Sequence, residues 1–182
     1  GSRCESGYPI LCGDPHLQIN QIPALLFETR IRYPENFWLG ATIPGLPGIA
    51  VGRNKNVSWS GTFSCADNVD FFIEDILDGA TKRENRSLPL VEKKITLKRR
   101  GLTNLQLQYF SSELGTLESC SSNGKHLSTR WAGKEKVHEA IEAYIRLPSA
   151  QDVHEAQNIL NKAHTLSLHF ILADRHGEIR YS

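Results

Sequence analysis

The spacing of apolar residues changes about two thirds of the way along this 182-residue chain. Before that point, short runs rich in aromatic and β-branched residues are separated by Pro, Gly and Asn, a pattern typical of antiparallel strands. The second of these strands alternates, which predicts one buried face made of Leu25, Phe27, Thr29 and Ile31. We expect strands at residues 9–12, 24–33, 37–42, 48–51, 57–59 and 69–77, and a hairpin that pairs 91–97 with 103–110.

In the last third, apolar residues recur at helical spacing. An amphipathic helix that ends before Pro148 is predicted by Val137, Ala140, Ile141, Tyr144 and Ile145. A second helix is expected to begin with a cap at Ser149 and to present an apolar face made of Val153, Ala156, Leu160 and Ala163. A strand at 165–173, a turn at 175–177 and a short strand ending at Tyr181 follow. We therefore predict one α+β unit over residues 1–182, rich in antiparallel strands, with two amphipathic helices in its C-terminal third.

The charge and the cysteines exclude several classes of function. The 21 basic and 20 acidic residues nearly cancel, and the densest basic run, residues 93–100, is typical of the polar face of a strand. A nucleic-acid partner is not expected, because phosphate binding needs clustered Lys and Arg. No window is apolar enough to span a membrane. The spacing of Cys4, Cys12, Cys65 and Cys120 disfavours a zinc site, and free thiols and disulfides both remain open.

Six short motifs then occur in a fixed order. They are Gly13–Leu17 (GDPHL), residues 39–54 (LGATIPGLPGIAVGRN), residues 57–61 (VSWSG), residues 66–70 (ADNVD), residues 128–133 (STRWAG) and residues 173–181 (ADRHGEIRY). This set resembles the penicillin acylase family of N-terminal-nucleophile (Ntn) amidohydrolases. Members of that family carry N-D-P-H-L, G-x-x-x-P-G-x-P-G-x-x-x-G-x-N, I-x-W-G, D-V-x-D, A-L-R-W-x-G and A-D-x-x-G-N-I-G-Y. The resemblance covers the chain from about Gly13 to Tyr181.

The resemblance implies an antiparallel part of the four-layer αββα Ntn fold and an enzyme of two chains, made by autocatalytic cleavage of a precursor. The second chain then begins with a Ser, Thr or Cys whose own α-amine acts as the general base. It implies hydrolysis of a linear amide, of the penicillin side chain or N-acyl-homoserine-lactone type, through an acyl-enzyme. It also implies a periplasmic or secreted protein, with a cytoplasmic protein as the alternative.

The resemblance assigns roles to individual residues. The backbone N–H groups of His16 and Phe63 match the two main-chain donors of an oxyanion hole. Structural calcium ligands are implied at Asp67, the carbonyl of Val69, and Asp70; these hard oxygen donors suit Ca²⁺ but make only part of its shell. The alternative is that the two Asp residues are a surface pair in a turn. The wall of an acyl pocket is implied at Pro15, Leu17, Val51, Trp131 and Leu168. For each of these five, plain core packing is the alternative.

The chain also departs from the family pattern. In the family, an S-N-x-W stretch about twenty residues before D-P-H carries the nucleophile, and this chain contains no such stretch. In addition, Gly13 replaces the Asn of the N-D-P motif. We therefore expect the early part of a β chain that is inactive alone. Its expected partners are an α chain and the rest of the β chain, or further copies of itself. The alternative is a noncatalytic relative that acts as a binding or scaffolding module.

Overall fold

The computed structural model describes residues 1, 3–15, 17, 20, 22, 24–83, 86–120 and 123–182, with Cys120 described by its backbone alone. The chain divides into two compact units. Unit 1 consists of Gly1–Ala66 and Glu135–Ser182, and unit 2 consists of Asp67–Lys134. The expectation of a single unit over residues 1–182 stays a prediction. No described helix is both long enough and apolar enough to cross a membrane.

The strands, in chain order, are β1 (Phe27–Arg32), β2 (Phe37–Thr42), β3 (Val51–Arg53), β4 (Val57–Phe63), β5 (Val69–Leu77), β6 (Ala80–Arg83), β7 (Arg86–Pro89), β8 (Val91–Leu97), β9 (Leu105–Ser111), β10 (Thr116–Cys120), β11 (Lys125–Trp131), β12 (Leu168–Asp174) and β13 (Ile179–Tyr181). The helices are α1 (Val137–Arg146) and α2 (Val153–Leu160), joined through a 3-10 turn at Leu147–Ser149. β2, β5 and β8 have the predicted bounds. Residues 9–12 do not form a strand, because no described segment pairs with them.

Unit 1 is an antiparallel six-stranded sheet, in the order β1-β2-β3-β4-β12-β13, with both helices on one face. Trp59 of β4 and Leu172 of β12 lie directly opposite each other and are almost fully buried beneath the helices. The indole N–H of Trp59 donates to the carbonyl of Ile49 (3.0 Å). The covered face is therefore the core of unit 1, and its other face carries no helix.

The side chain of Asn54 fastens the β3–β4 turn to the segment between the helices. Its amide nitrogen donates to the carbonyls of Pro148 (2.9 Å) and Ala150 (2.7 Å). Its carbonyl oxygen accepts from the amides of Asn56 and Val57 (2.7 Å each). The side chain is 2% exposed, and all four of its hydrogen bonds go to backbone groups that would otherwise be buried and unpaired.

The two helices follow their predicted patterns with one correction. α2 is capped by Asp152, whose carboxylate accepts from the amide of Glu155 (2.8 Å), and not by Ser149. Ser149 is held in the 3-10 turn behind Pro148, so its hydroxyl cannot reach the first turn of α2. The apolar face of α2 is buried as predicted. The stripe of α1 is only partly buried, because its Val137, Ile141 and Ile145 remain exposed.

Gly48 lets the Pro-Gly-rich loop approach α1. It has a φ of +100°, and a Cβ there would lie 2.2 Å from the carbonyl oxygen of Tyr144. Any other residue would therefore be strained and would clash with helix backbone. By contrast, the predicted buried face of β1 is wrong. Phe27 and Ile31 are 47% and 38% exposed, because β1 is the edge strand of the sheet.

Unit 2 is an antiparallel seven-stranded sheet in the order β7-β6-β5-β11-β10-β9-β8. β5 turns into β6 at Asp78-Gly79, both with positive φ, and the predicted β8–β9 hairpin is present. The sequence patterns do not predict β6, β7, β10 and β11, which are short or carry mixed side chains. Asp-Gly between two strands is a strong hairpin signal that could have revealed β6.

The side chains buried in unit 2 are polar. Glu74 is 8% exposed, and its Oε1 accepts from the hydroxyls of Ser112 (2.6 Å) and Ser128 (2.5 Å). Ser112 in turn accepts from the amides of Leu114 and Gly115, and so holds the turn between β9 and β10. In the described part of unit 2, no large apolar side chain is buried.

Candidate active-site segment

The backbone N–H of Phe63 points away from the strand that pairs with it. The amide of Ser64 donates to the carbonyl of Ser167 (3.1 Å), which makes Phe63 and Leu168 a pair without mutual hydrogen bonds. On its other side, β4 pairs with β3 only at the opposite end of the strand. Within the described residues the N–H of Phe63 has no acceptor, and the residue is 67% exposed. This amide is therefore available to a ligand oxygen.

Leu168 is the predicted pocket residue that the sheet brings next to Phe63. The two are directly opposite on neighbouring strands, so their side chains share one face. Leu168 is half-buried and packs against the edge of the unit 1 core. Just beyond this pair, the hydroxyls of Ser64 and Ser167 are hydrogen-bonded to each other (2.9 Å) and so join the two segments. Leu168 thus provides an apolar side chain next to that of Phe63, on the strand from which the N–H of Phe63 points away.

Two other predicted pocket residues belong to β3 of unit 1 and to β11 of unit 2. Val51 precedes Gly52, which is opposite Trp59 on the covered face, so Val51 is on the face without helices and Leu168 is on the other. Trp131 ends β11 in unit 2, is 41% exposed, and packs against Gly133. The pocket roles of Val51 and Trp131 stay predictions.

The N-terminal segment packs on the helix-free face of the unit 1 sheet. A Cβ at Gly13 would lie 1.9 Å from the hydroxyl oxygen of Ser60 and 2.7 Å from its Cβ, so the two residues are in close contact. Pro15 and Leu17 follow, both half-buried and outside regular secondary structure. His16, the other predicted oxyanion donor, lies outside the described residues.

The contact between Gly13 and Ser60 links two departures from the family motifs. N-D-P-H carries Asn where this chain has Gly13, and I-x-W-G carries Gly where this chain has Ser60. In this chain and in the family pattern alike, one of these two positions is a glycine and the other carries a side chain. The segment can therefore approach β4 closely with either arrangement. The sequence motifs alone do not reveal this coupling, because only the tertiary structure brings Gly13 against Ser60.

The three predicted calcium donors lie at the start of β5 in unit 2. The amide of Ala132 donates to the carbonyl of Asn68 (2.9 Å), so the carbonyl of the next residue, Val69, points away from β11. β6 pairs with the far end of β5, so no strand among the described residues pairs with this carbonyl. Asp67 and Asp70 are exposed.

The chemistry of these donors fits a hard cation, but the set is incomplete. Ca²⁺ takes roughly 6 to 8 oxygen ligands, and two carboxylates with one carbonyl supply only part of that number. Among the described residues, no group of three or more His, Cys, Asp or Glu side chains could hold a metal ion. Any calcium bound here needs further oxygen ligands, from other segments or from water.

Three cysteines can be described. Cys4 is half-buried, Cys12 and Cys65 are exposed, and all three are free thiols. These three thiols therefore form no disulfide with one another. The side chain of Cys120 lies outside the described part of the chain.

Comparison with known proteins gives a consistent relationship. The family model described as penicillin amidase matches residues 1–182. The acyl-homoserine lactone acylase QuiP of Pseudomonas fluorescens Pf-5 is 26% identical over 94% of this chain and 22% of its own length. The penicillin acylase 2 proenzyme of Pseudomonas sp. SE83 is 25% identical over 83% of this chain and 20% of its own length. The chain thus spans about a fifth of these relatives.

A solved structure has the same fold. The thermostable penicillin G acylase of Alcaligenes faecalis matches with a TM-score of 0.76 and 19% identity, over 88% of this chain and 30% of that chain. The expectation of a β-rich, antiparallel part of an Ntn-hydrolase fold with two helices is therefore confirmed.

Proposed function

Because the chain belongs to the penicillin amidase family, we propose that it is part of an amidohydrolase that cleaves a linear amide through an acyl-enzyme. Its expected partners are the α chain and the remainder of the β chain, since it spans only 22% of a relative such as QuiP. The nucleophile is the N-terminal Ser, Thr or Cys of a processed chain, in a segment that this sequence does not contain. This chain supplies oxyanion donors, part of the acyl-pocket wall and part of a calcium shell.

The observation that carries this proposal is the open N–H of Phe63. It lies at the position that the family motif assigns to an oxyanion donor, it has no acceptor within the described residues, and the side chain of Phe63 shares a face with that of Leu168. A preorganised amide needs no rearrangement when negative charge develops on a substrate oxygen. The apolar neighbour suits the carbon chain or ring attached to the carbonyl.

The reaction follows from these roles. The N-terminal nucleophile attacks the amide carbonyl carbon, and its proton passes to the α-amine of the same residue. The carbonyl oxygen becomes an oxyanion that accepts hydrogen bonds from the N–H groups of Phe63 and His16. Collapse breaks the C–N bond, and the amine product leaves with the proton from the α-amine. Water then attacks the acyl-enzyme, releases the carboxylic acid and restores the nucleophile.

N-acyl-homoserine lactones are the substrate class that we favour, and the penicillin side-chain amide is the second. The name of QuiP supports the first class, and that of the penicillin acylase 2 proenzyme supports the second. Assays of the full-length protein with a hexanoyl lactone and a phenylacetyl amide separate them. Intact-mass measurement should show two processed chains. A single unprocessed chain that binds these compounds without turnover would contradict hydrolysis and favour the noncatalytic alternative.

The role of the Phe63 amide can be tested by removing only that donor. Phe63→Pro deletes an N–H that makes no ladder hydrogen bond, so the sheet should tolerate it. The expected result is a fall in kcat of about 10²- to 10³-fold. Phe63→Ala keeps the N–H and is the matched control, with its effect mainly on KM. Similar kcat values for the two variants would show that this amide does not bind the oxyanion.

We also propose that calcium stabilises the full-length protein through Asp67, Val69 and Asp70. Chelation should lower the melting temperature, and Asp70→Asn should remove this sensitivity to chelator. Asp75→Asn is the matched control on the same strand, because Asp75 pairs with Lys125 (2.5 Å) and is not a proposed ligand. An unchanged melting temperature on chelation would refute the calcium assignment without affecting the amidase proposal.

A further inference from the structure

A cavity of about 450 Å³ lies in unit 1 at the end of β4 that is remote from Phe63. It is bounded by the β3–β4 turn, the end of β12 and part of the N-terminal segment. Its lining residues include three cations, Arg53, Lys55 and Arg175. Val57 at this end and Phe63 at the other are separated by the length of β4, about 20 Å. The cavity is therefore separate from the proposed oxyanion site.

The backbone that carries the three cations is held in place. Arg53 is in β3, opposite Leu39. The amide of Lys55 donates to the side chain of Asn36 (3.2 Å), and the amide of Arg175 donates to the carbonyl of Asn56 (2.8 Å). The rim of the cavity is thus formed by ordered turns, so less entropy is lost when a ligand binds.

The cations have no acidic partner in the described part of the chain. No ion pair is found for Arg53, Lys55 or Arg175, whereas Arg146 pairs with Glu142 on α1. Arg53 instead lies over the ring of Phe37, 5.0 Å from its centroid. The cavity rim therefore carries three positive charges that no ion pair within the described residues neutralises.

The one acidic residue of the cavity is already hydrogen-bonded. Asp174 is 3% exposed, and one of its oxygens accepts from the amides of His176 (2.9 Å) and Glu178 (3.1 Å). The other accepts from the amide of Val153 (3.4 Å). The carboxylate of Asp174 thus accepts hydrogen bonds from two separate segments. The other charged side chains that line the cavity are all cations.

The rest of the lining combines an apolar wall with polar residues. Tyr8, Pro9 and Leu11 form the apolar wall, Ala173 adds a methyl group, and the polar residues are Asn54, Asn56 and Ser58. A cavity of this size suits a small molecule, and apolar walls with a few charged groups at the rim select an anion with an apolar body. We propose that the cavity binds a small amphipathic carboxylate, with its carboxylate among Arg53, Lys55 and Arg175 and its carbon chain against this wall. The proposal does not depend on amide hydrolysis.

Equilibrium dialysis of radiolabelled hexanoate against the full-length protein tests the proposal. The triple variant Arg53→Gln, Lys55→Gln, Arg175→Gln should bind one equivalent less, or bind it at least tenfold more weakly. The matched control Lys98→Gln, Arg99→Gln, Arg100→Gln removes the same charge from exposed residues at the β8–β9 turn and should leave binding unchanged. Equal melting temperatures of the variants would exclude loss of fold.

Two analogues separate the charge from the apolar body. Hexanamide, which is neutral, and acetate, which lacks the chain, should each bind this site at least tenfold more weakly than hexanoate. Absence of hexanoate binding, equal binding of hexanamide or acetate, or an equal loss in the two triple variants would overturn the proposal.

Discussion

The two units of the chain bury different kinds of side chain. Unit 1 covers one face of its sheet with two helices and encloses large apolar residues such as Trp59 and Leu172. Unit 2 buries Glu74, Ser111 and Ser128, while apolar residues of its strands, such as Ile73 (75%), stay exposed. Since apolar burial is the main driving force of folding, unit 1 has its own source of stability. Unit 2 is expected to gain much of its stability from other segments of the full-length protein.

The strongest test of this contrast compares the same substitution in both units. Leu172→Ala removes a fully buried side chain of unit 1 and should lower the free energy of unfolding by about 2–5 kcal/mol. Leu77→Ala in unit 2 removes a side chain that is 51% exposed and should cost less than about 1 kcal/mol. Urea denaturation of the full-length protein measures both. A large cost for Leu77→Ala would show that another segment covers that face.

Buried polar groups offer a second comparison. Asn54→Ala in unit 1 leaves two carbonyls and two amides without their partners, and we expect a loss of about 2–4 kcal/mol. In unit 2, Glu74→Gln keeps an acceptor for Ser112 and Ser128 and should cost less. Thermal denaturation measures both, and Asn56→Ala, which removes an exposed hydrogen bond to Gln151, is the control for Asn54. A larger loss of stability for Glu74→Gln than for Asn54→Ala would show that unit 2 depends more on its buried polar contacts than unit 1 does.

The contact between Gly13 and Ser60 tests whether the N-terminal segment belongs to the packing of unit 1. Gly13→Ala should destabilise by about 1–3 kcal/mol, because the new methyl group overlaps Ser60. Ser60→Gly should relieve most of this cost, with a coupling of about 1 kcal/mol in a double-mutant cycle. Chemical denaturation of the four proteins gives the coupling. Additive effects would mean that the two residues do not touch in solution.

The smallest expected effect is at the surface of α1. The hydrogen bond from His164 (2.9 Å), with smaller contributions from neighbouring cations, lowers the pKa of Glu139 below its ordinary value of 4.5. A lowered folded-state pKa stabilises the fold above pH 4.5, and this contribution is lost as the pH falls through the folded-state pKa. His164→Asn should raise the pKa of Glu139, as measured by carboxyl ¹³C NMR. His138→Asn, which removes the neighbouring cation with the smallest effect, should raise it less; equal shifts would contradict the contact.

Local patterns predicted several elements well. β2, β5, β8 and the apolar face of α2 have a clear period, and their bounds or buried faces match. The cap of α2 was misassigned to Ser149, because the 3-10 turn after Pro148 shifts the start of the helix. The buried face of β1 was also wrong, because alternation does not reveal that a strand is at the edge of a sheet.

The candidate site shows the same limit. The motifs placed Phe63 at a donor position, but only the register of β4 and β12 shows that its N–H is unpaired. The motifs assign Val51 and Leu168 to one pocket wall, and the sheet puts them on opposite faces. The cavity among Arg53, Lys55 and Arg175 is not evident from the sequence, because Arg175 lies far along the chain from the other two.

The order and spacing of the motifs determined the family, and the periods of the apolar residues determined an α+β fold, because both are properties of neighbouring positions. The tertiary structure decided which amides and carbonyls stay open, which apolar faces are covered, and which cations meet at one cavity. These depend on strand register and on contacts such as those of Asn54 with Pro148 and Ala150. Such contacts join distant parts of the chain, and no local pattern encodes them.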